Sequence, residues 1–77
     1  MEFRLPQRVG DYEYSTIQSW RKRVGDRVEA GEPLVEIETD KATEEVEAPV
    51  SGTIADILVV EGDEVKVDSV LAIIEEL

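Results

Sequence analysis

Offset by 37 residues, the second half of the chain falls on the first. Thr16-Ile17 meets Thr53-Ile54 and Gly25-Asp26 meets Gly62-Asp63. Val28 meets Val65, Leu34 meets Leu71, and Ile37-Glu38 meets Ile74-Glu75, which makes eight identities in one register. Trp20 falls on Ile57, an apolar match. A unit this short cannot bury a core alone, so two copies are expected to pack about an approximate two-fold axis and share one core. A solenoid would need three or more repeats. Upstream of Thr16 the register slips. Ten positions separate Pro6 from Thr16 but only four separate Pro49 from Thr53, so about six extra residues form a loop within residues 7–14.

The repeated unit reads as β-structure. Val35 and Ile37 alternate with Glu36 and Glu38, and residues 70–74 are short and rich in branched side chains. Val-Gly-Asp and Glu-Gly-Asp each stand before a Val-containing run, which marks a tight turn in both halves. Pro33, Pro49 and Gly52 add further breaks. Ile54, Ile57 and Leu58 also fit helical spacing, but the matching stretch from Ile17 to Trp20 leads into the same kind of turn, which favours strand. The expectation is about eight short strands in two sheets, an all-β flattened sandwich or barrel.

Composition narrows the function classes. A chain of 77 residues holds one small domain. It has no Cys and no His, which removes a thiol nucleophile, a disulfide, the commonest general base and the commonest transition-metal ligand. A self-contained enzyme is disfavoured. The net charge of −11 argues against nucleic acid, which needs a basic face. No apolar run approaches a membrane span. The charge is uneven: residues 1–39 carry six basic and eight acidic side chains, and residues 40–77 two basic and eleven acidic. Arg21, Lys22, Arg23 and Arg27 cluster, either as a solvated face or as a docking patch for an acidic partner.

Asp40-Lys41 lies between the two halves, after the alternating strand and before a second extended stretch, residues 43–47. Asp favours turns, so Lys41 is expected at a hairpin tip. It is isolated among Glu36, Glu38, Asp40, Glu44 and Glu45. Glu36, Glu38 and Asp40 alternate on one strand face. They lack the spacing of a calcium loop and read as a solvated face rather than a metal site.

The run Glu36-Ile37-Glu38-Thr39-Asp40-Lys41-Ala42-Thr43, followed by Ala48-Pro49-Val50-Ser51-Gly52-Thr53-Ile54, resembles the lipoyl domain of the E2 acyltransferases of 2-oxo acid dehydrogenase complexes. Phe3-Arg4-Leu5-Pro6 and Thr16-Ile17-Gln18-Ser19-Trp20 resemble that family's first two strands, so the likeness spans nearly the whole chain. The resemblance implies two four-stranded antiparallel sheets with quasi-two-fold symmetry. It implies lipoic acid in amide linkage to Lys41, with Glu38, Asp40, Ala42 and Gly52 recognised by the modifying lipoate ligase or lipoyl transferase. It implies a swinging-arm carrier, pyruvate dehydrogenase type first among the 2-oxo acids, that is not itself an enzyme. Its partners would be a thiamine-diphosphate decarboxylase (E1), the E2 catalytic domain with coenzyme A, and the flavoprotein dihydrolipoamide dehydrogenase (E3). A single domain over residues 1–77, excised from a longer E2 chain and monomeric alone, is expected. It would sit in the bacterial or archaeal cytoplasm or the mitochondrial matrix.

The chain departs from the family pattern at Gln7, Arg8, Val9, Gly10, Asp11, Tyr12, Glu13 and Tyr14. Gln7-Arg8 stands where an acidic residue is usual, and the tyrosines replace small or acidic residues. In the family this loop lies beside the lipoyl-lysine and helps E1 recognise its carrier, so these eight residues are the candidate partner loop. Two alternatives share the fold. A biotinyl carrier would usually have Met on both sides of the lysine, where Asp40 and Ala42 stand. An unmodified structural module would not need the central Asp-Lys.

Overall fold

A computed structural model of the chain describes residues 1–6, 14–39 and 42–77. Eight strands follow one another: β1 (Glu2–Arg4), β2 (Tyr14–Trp20), β3 (Arg27–Val28), β4 (Pro33–Glu38), β5 (Thr43–Glu47), β6 (Gly52–Ile57), β7 (Glu64–Lys66) and β8 (Val70–Glu76). They form two antiparallel four-stranded sheets, ordered β1-β8-β6-β3 and β5-β4-β2-β7. The ladders join strands within each sheet and do not close a barrel, so the sandwich description holds. Residues 52–57, open to helix or strand on periodicity, are strand.

The repeat becomes the topology. Each sheet takes two strands from each half of the chain. Moving every first-half strand to its second-half mate, and back, converts one strand order into the other. The register follows at residue level. Ile17 faces Ile37 and Trp20 faces Val35 across a bulge between Ile17 and Ser19. In the other sheet Ile54 faces Ile74 and Ile57 faces Ala72 across a bulge between Ile54 and Asp56. The Gly-Asp turns also reach across. Gly25 N–H donates to the Ile54 carbonyl and Gly62 N–H to the Ile17 carbonyl, both at 2.8 Å.

The core is shared as this exchange requires. Ile17, Leu34, Ile37, Ile54, Leu71 and Ile74 are all buried, three from each half, and each is the repeat mate of another. The edge strands β1, β3, β5 and β7 are short, and β5 carries Glu44, Glu45 and Glu47, which discourages pairing with another sheet edge.

Candidate functional site

The site is the β4–β5 hairpin. Its base is anchored by Leu34, Val35 and Ile37 on β4 and by Val46 on β5, all buried. Beyond Val46 the hairpin leaves the core: Thr43, Glu44 and Glu45 are exposed, as are Glu38 and Ala42. Glu38 faces Thr43 at the last pair of the ladder. Thr39 and Ala42 then close the hairpin. The Thr39 N–H donates to the Ala42 carbonyl at 2.8 Å. The Thr39 hydroxyl donates to that carbonyl at 3.0 Å and accepts from the Ala42 N–H at 3.3 Å. Only residues 40 and 41 stand between the closing pair. Asp40 and Lys41 themselves lie outside the described residues.

Of the residues assigned to modifying-enzyme recognition, the structure brings Glu38 and Ala42 together and leaves Gly52 apart. Gly52 is buried and faces Glu76 on one side and Val28 on the other. The five residues of β5 alone put about 17 Å of extended chain between it and the hairpin loop. A Cβ added at Gly52 would lie 2.1 Å from the Glu75 carbonyl oxygen. Packing therefore dictates glycine here, without reference to any enzyme.

Among the partner-loop residues, Gln7, Arg8, Val9, Gly10, Asp11, Tyr12 and Glu13 lie outside the described residues. Tyr14 is not in a loop. It is the first residue of β2, paired with Lys66, and the Lys66 ammonium lies 5.6 Å from its ring centroid. This pair sits at the hairpin end of its sheet, because Thr16 two residues on faces Glu38. Sequence reasoning missed Lys66 because its neighbour comes from β7, which no local pattern links to Tyr14.

The acidic surround is real on the described part. Glu38, Glu44 and Glu45 are exposed and form no ion pair with any described residue. No cluster of described residues could hold a metal ion. The arrangement is a hairpin with exposed carboxylates that can display the residues between Thr39 and Ala42.

Comparison with known proteins bears on what is displayed. The Biotin_lipoyl family profile, described as biotin-requiring enzyme, matches residues 1–74. The chain is 42% identical over 74 residues, 96% of its length, to the succinyltransferase component of the 2-oxoglutarate dehydrogenase complex of Bartonella vinsonii. It is 53% identical over 57 residues, 74% of its length, to the acetyltransferase component of the pyruvate dehydrogenase complex of Corynebacterium glutamicum. It is also 43% identical over 75 residues to the pyruvate dehydrogenase E1 component subunit beta of Rhizobium meliloti. It spans only 18%, 8% and 16% of these relatives. Among solved structures, the lipoyl domain of the 2-oxoglutarate dehydrogenase complex of Azotobacter vinelandii matches with a TM-score of 0.79 and 34% identity, covering 99% of this chain and 96% of that one.

Proposed function

The chain belongs to the Biotin_lipoyl family, and we propose that within it the domain is a lipoyl carrier with Lys41 as the attachment residue. The observation that carries this reading is the closed, protruding hairpin. Thr39 and Ala42 pair at its end, and Lys41 is one of the two residues that the sequence puts between them. The described flank fits a covalent arm, since residues 42–45 are exposed. When bound, lipoic acid supplies a dithiolane that accepts and releases an acyl group and two electrons. The chain's own residues position that chemistry. The β4–β5 ladder fixes Thr39 and Ala42 on either side of residues 40 and 41, Glu38 and Ala42 present the lysine to a lipoate ligase or lipoyl transferase, and the carboxylates keep the post soluble.

The partners in this reading are a 2-oxo acid decarboxylase (E1), an E2 catalytic domain with coenzyme A, and a dihydrolipoamide dehydrogenase (E3). As part of a longer chain the domain gains a high effective concentration at each site. The pyruvate-type E2 parent is one version. The likeness to an E1 subunit beta favours a second, in which the parent is a decarboxylase subunit. Acyl transfer to coenzyme A by the full-length protein separates the two.

The family profile covers biotinylated and lipoylated domains alike, so the cofactor is tested directly. The domain is incubated with lipoate ligase and with biotin ligase, each with ATP and its cofactor, and the intact mass is read. A gain of one lipoyl group, and none of biotin, is expected. A biotinyl gain would reverse the assignment.

A further inference from the structure

A groove lies where residues 20–24 meet residues 57–61, and these two segments are repeat mates at the 37-residue offset. The groove thus straddles the pseudo-two-fold axis, yet its two walls differ in chemistry. Val59 and Val60 stand where the other wall has Lys22 and Arg23, and Glu61 stands where it has Val24. The fold alone does not demand this. Trp20, Ile57 and Val59 also pack against the core, but Val24 and Val60 are 56% and 64% exposed, so these two side chains are not there to fill it.

The walls are fixed in place. The Trp20 indole N–H donates to the Val59 carbonyl at 3.0 Å and ties the walls together. The Arg23 and Val60 N–H groups each donate to an aspartate, Asp26 and Asp63, at 2.9 Å. A preformed groove loses little freedom on binding.

Charge selects the occupant. Lys22 is held by Glu32 at 2.8 Å, Arg21 by Glu36 at 3.0 Å, and Arg27 lies 3.7 Å from Glu29. Arg23 is different: its guanidinium meets no hydrogen-bond or ion-pair partner among the described residues. Beside the apolar lining, Arg23 therefore offers one cationic group that has no ion-pair partner among the described residues. Glu61 on the far wall turns a second carboxylate away. A second copy of this chain is a poor occupant, because it would bring another −11 against the first.

We propose that this groove docks a peptide segment of a partner protein in which an aliphatic side chain stands beside a carboxylate. The aliphatic group lies on Trp20, Val59 and Val60, and the carboxylate pairs with Arg23. Along β2, the groove lies at the end away from the hairpin tip. Trp20 ends β2 at the opposite end from Thr16, which faces Glu38, so a partner could hold the post here while Lys41 stays free.

The test uses nitrogen–proton correlation spectra of the unmodified domain, and is therefore independent of Lys41. The probes are the acetylated, amidated peptide Gly-Leu-Leu-Glu-Gly and its Gly-Leu-Leu-Gln-Gly counterpart. Saturable shifts are expected at the Trp20 indole and at the amides of residues 22–24 and 57–61. The Glu peptide should bind about fivefold more tightly, the scale of one exposed ion pair. Arg23→Gln should abolish that difference while leaving the free spectrum folded, and Val60→Ser should weaken both peptides. Absence of saturable shifts, shifts centred elsewhere, or equal binding of the two peptides would overturn the proposal.

Discussion

Lys22 and Glu32 hold each other charged. The hydrogen bond to Glu32 raises the Lys22 pKa above its ordinary value, and the same bond, helped by the Glu29 N–H, lowers that of Glu32. The signs set two pH windows. The Glu32 contribution is complete above an ordinary carboxylate pKa and disappears as pH falls through its lowered value. The Lys22 contribution is complete below an ordinary lysine pKa and disappears as pH rises through its raised value. In Lys22→Gln the Glu32 carboxyl should titrate at a higher pH, read by carbon NMR; an unmoved midpoint would contradict the pairing. Gly52 gives the second residue-scale prediction. A domain of 77 residues has only about 4–12 kcal/mol of stability. Gly52→Ala should remove about 3 kcal/mol, the upper part of the overpacking range, because the Glu75 backbone has to move. Urea unfolding checks it, and a midpoint equal to wild type would show that the close approach is not there. In that variant, lost modification would follow lost fold rather than a lost contact.

The hairpin is the element on which the proposed function rests, and Thr39 is its clasp. Thr39→Val keeps the shape and removes both hydroxyl bonds to Ala42. Stability should fall by about 1 kcal/mol, and the Ala42 amide should exchange faster with solvent. Unchanged exchange at Ala42 would contradict the clasp. This element was largely legible in the sequence. The alternation through Ile37 marked β4, and the extended stretch over residues 43–47 is β5, because strand period is local. Tyr14 was not, since the slipped register before Thr16 hid the start of β2. Asp68 shows the same limit. It adopts φ 69°, a conformation that favours glycine, at the position whose repeat mate is Gly31 with φ 88°. The repeat identified partners only where residues were alike, and a backbone conformation conserved between unlike residues escapes such a match. Trp20 was read as an apolar match to Ile57, but the groove beside it needs two segments from different halves, which no single stretch reveals.

At the scale of the whole molecule, the two halves are interleaved rather than stacked side by side. Each sheet draws strands from both, and each Gly-Asp turn bonds to the other half's strand. Neither half should fold alone: a fragment of residues 1–39 and one of residues 40–77 should each give a disordered spectrum, and mixing them should restore strand signal. A fragment folded alone would contradict the shared core. The same interleaving sets where function can sit. The Thr39–Ala42 pair is at one end of its sheet, while β4 beside it stays locked into a core built by both halves. This supports the reading of a rigid post that presents one lysine and lets bound chemistry come from elsewhere.

The most direct test of that reading is the site of modification. Wild type, Lys41→Ala and Lys66→Ala are each produced with lipoate ligase and lipoic acid, and their intact masses are read. The account predicts one lipoyl group on wild type and on Lys66→Ala, and none on Lys41→Ala. No gain on wild type, or a gain that survives in Lys41→Ala, would contradict it.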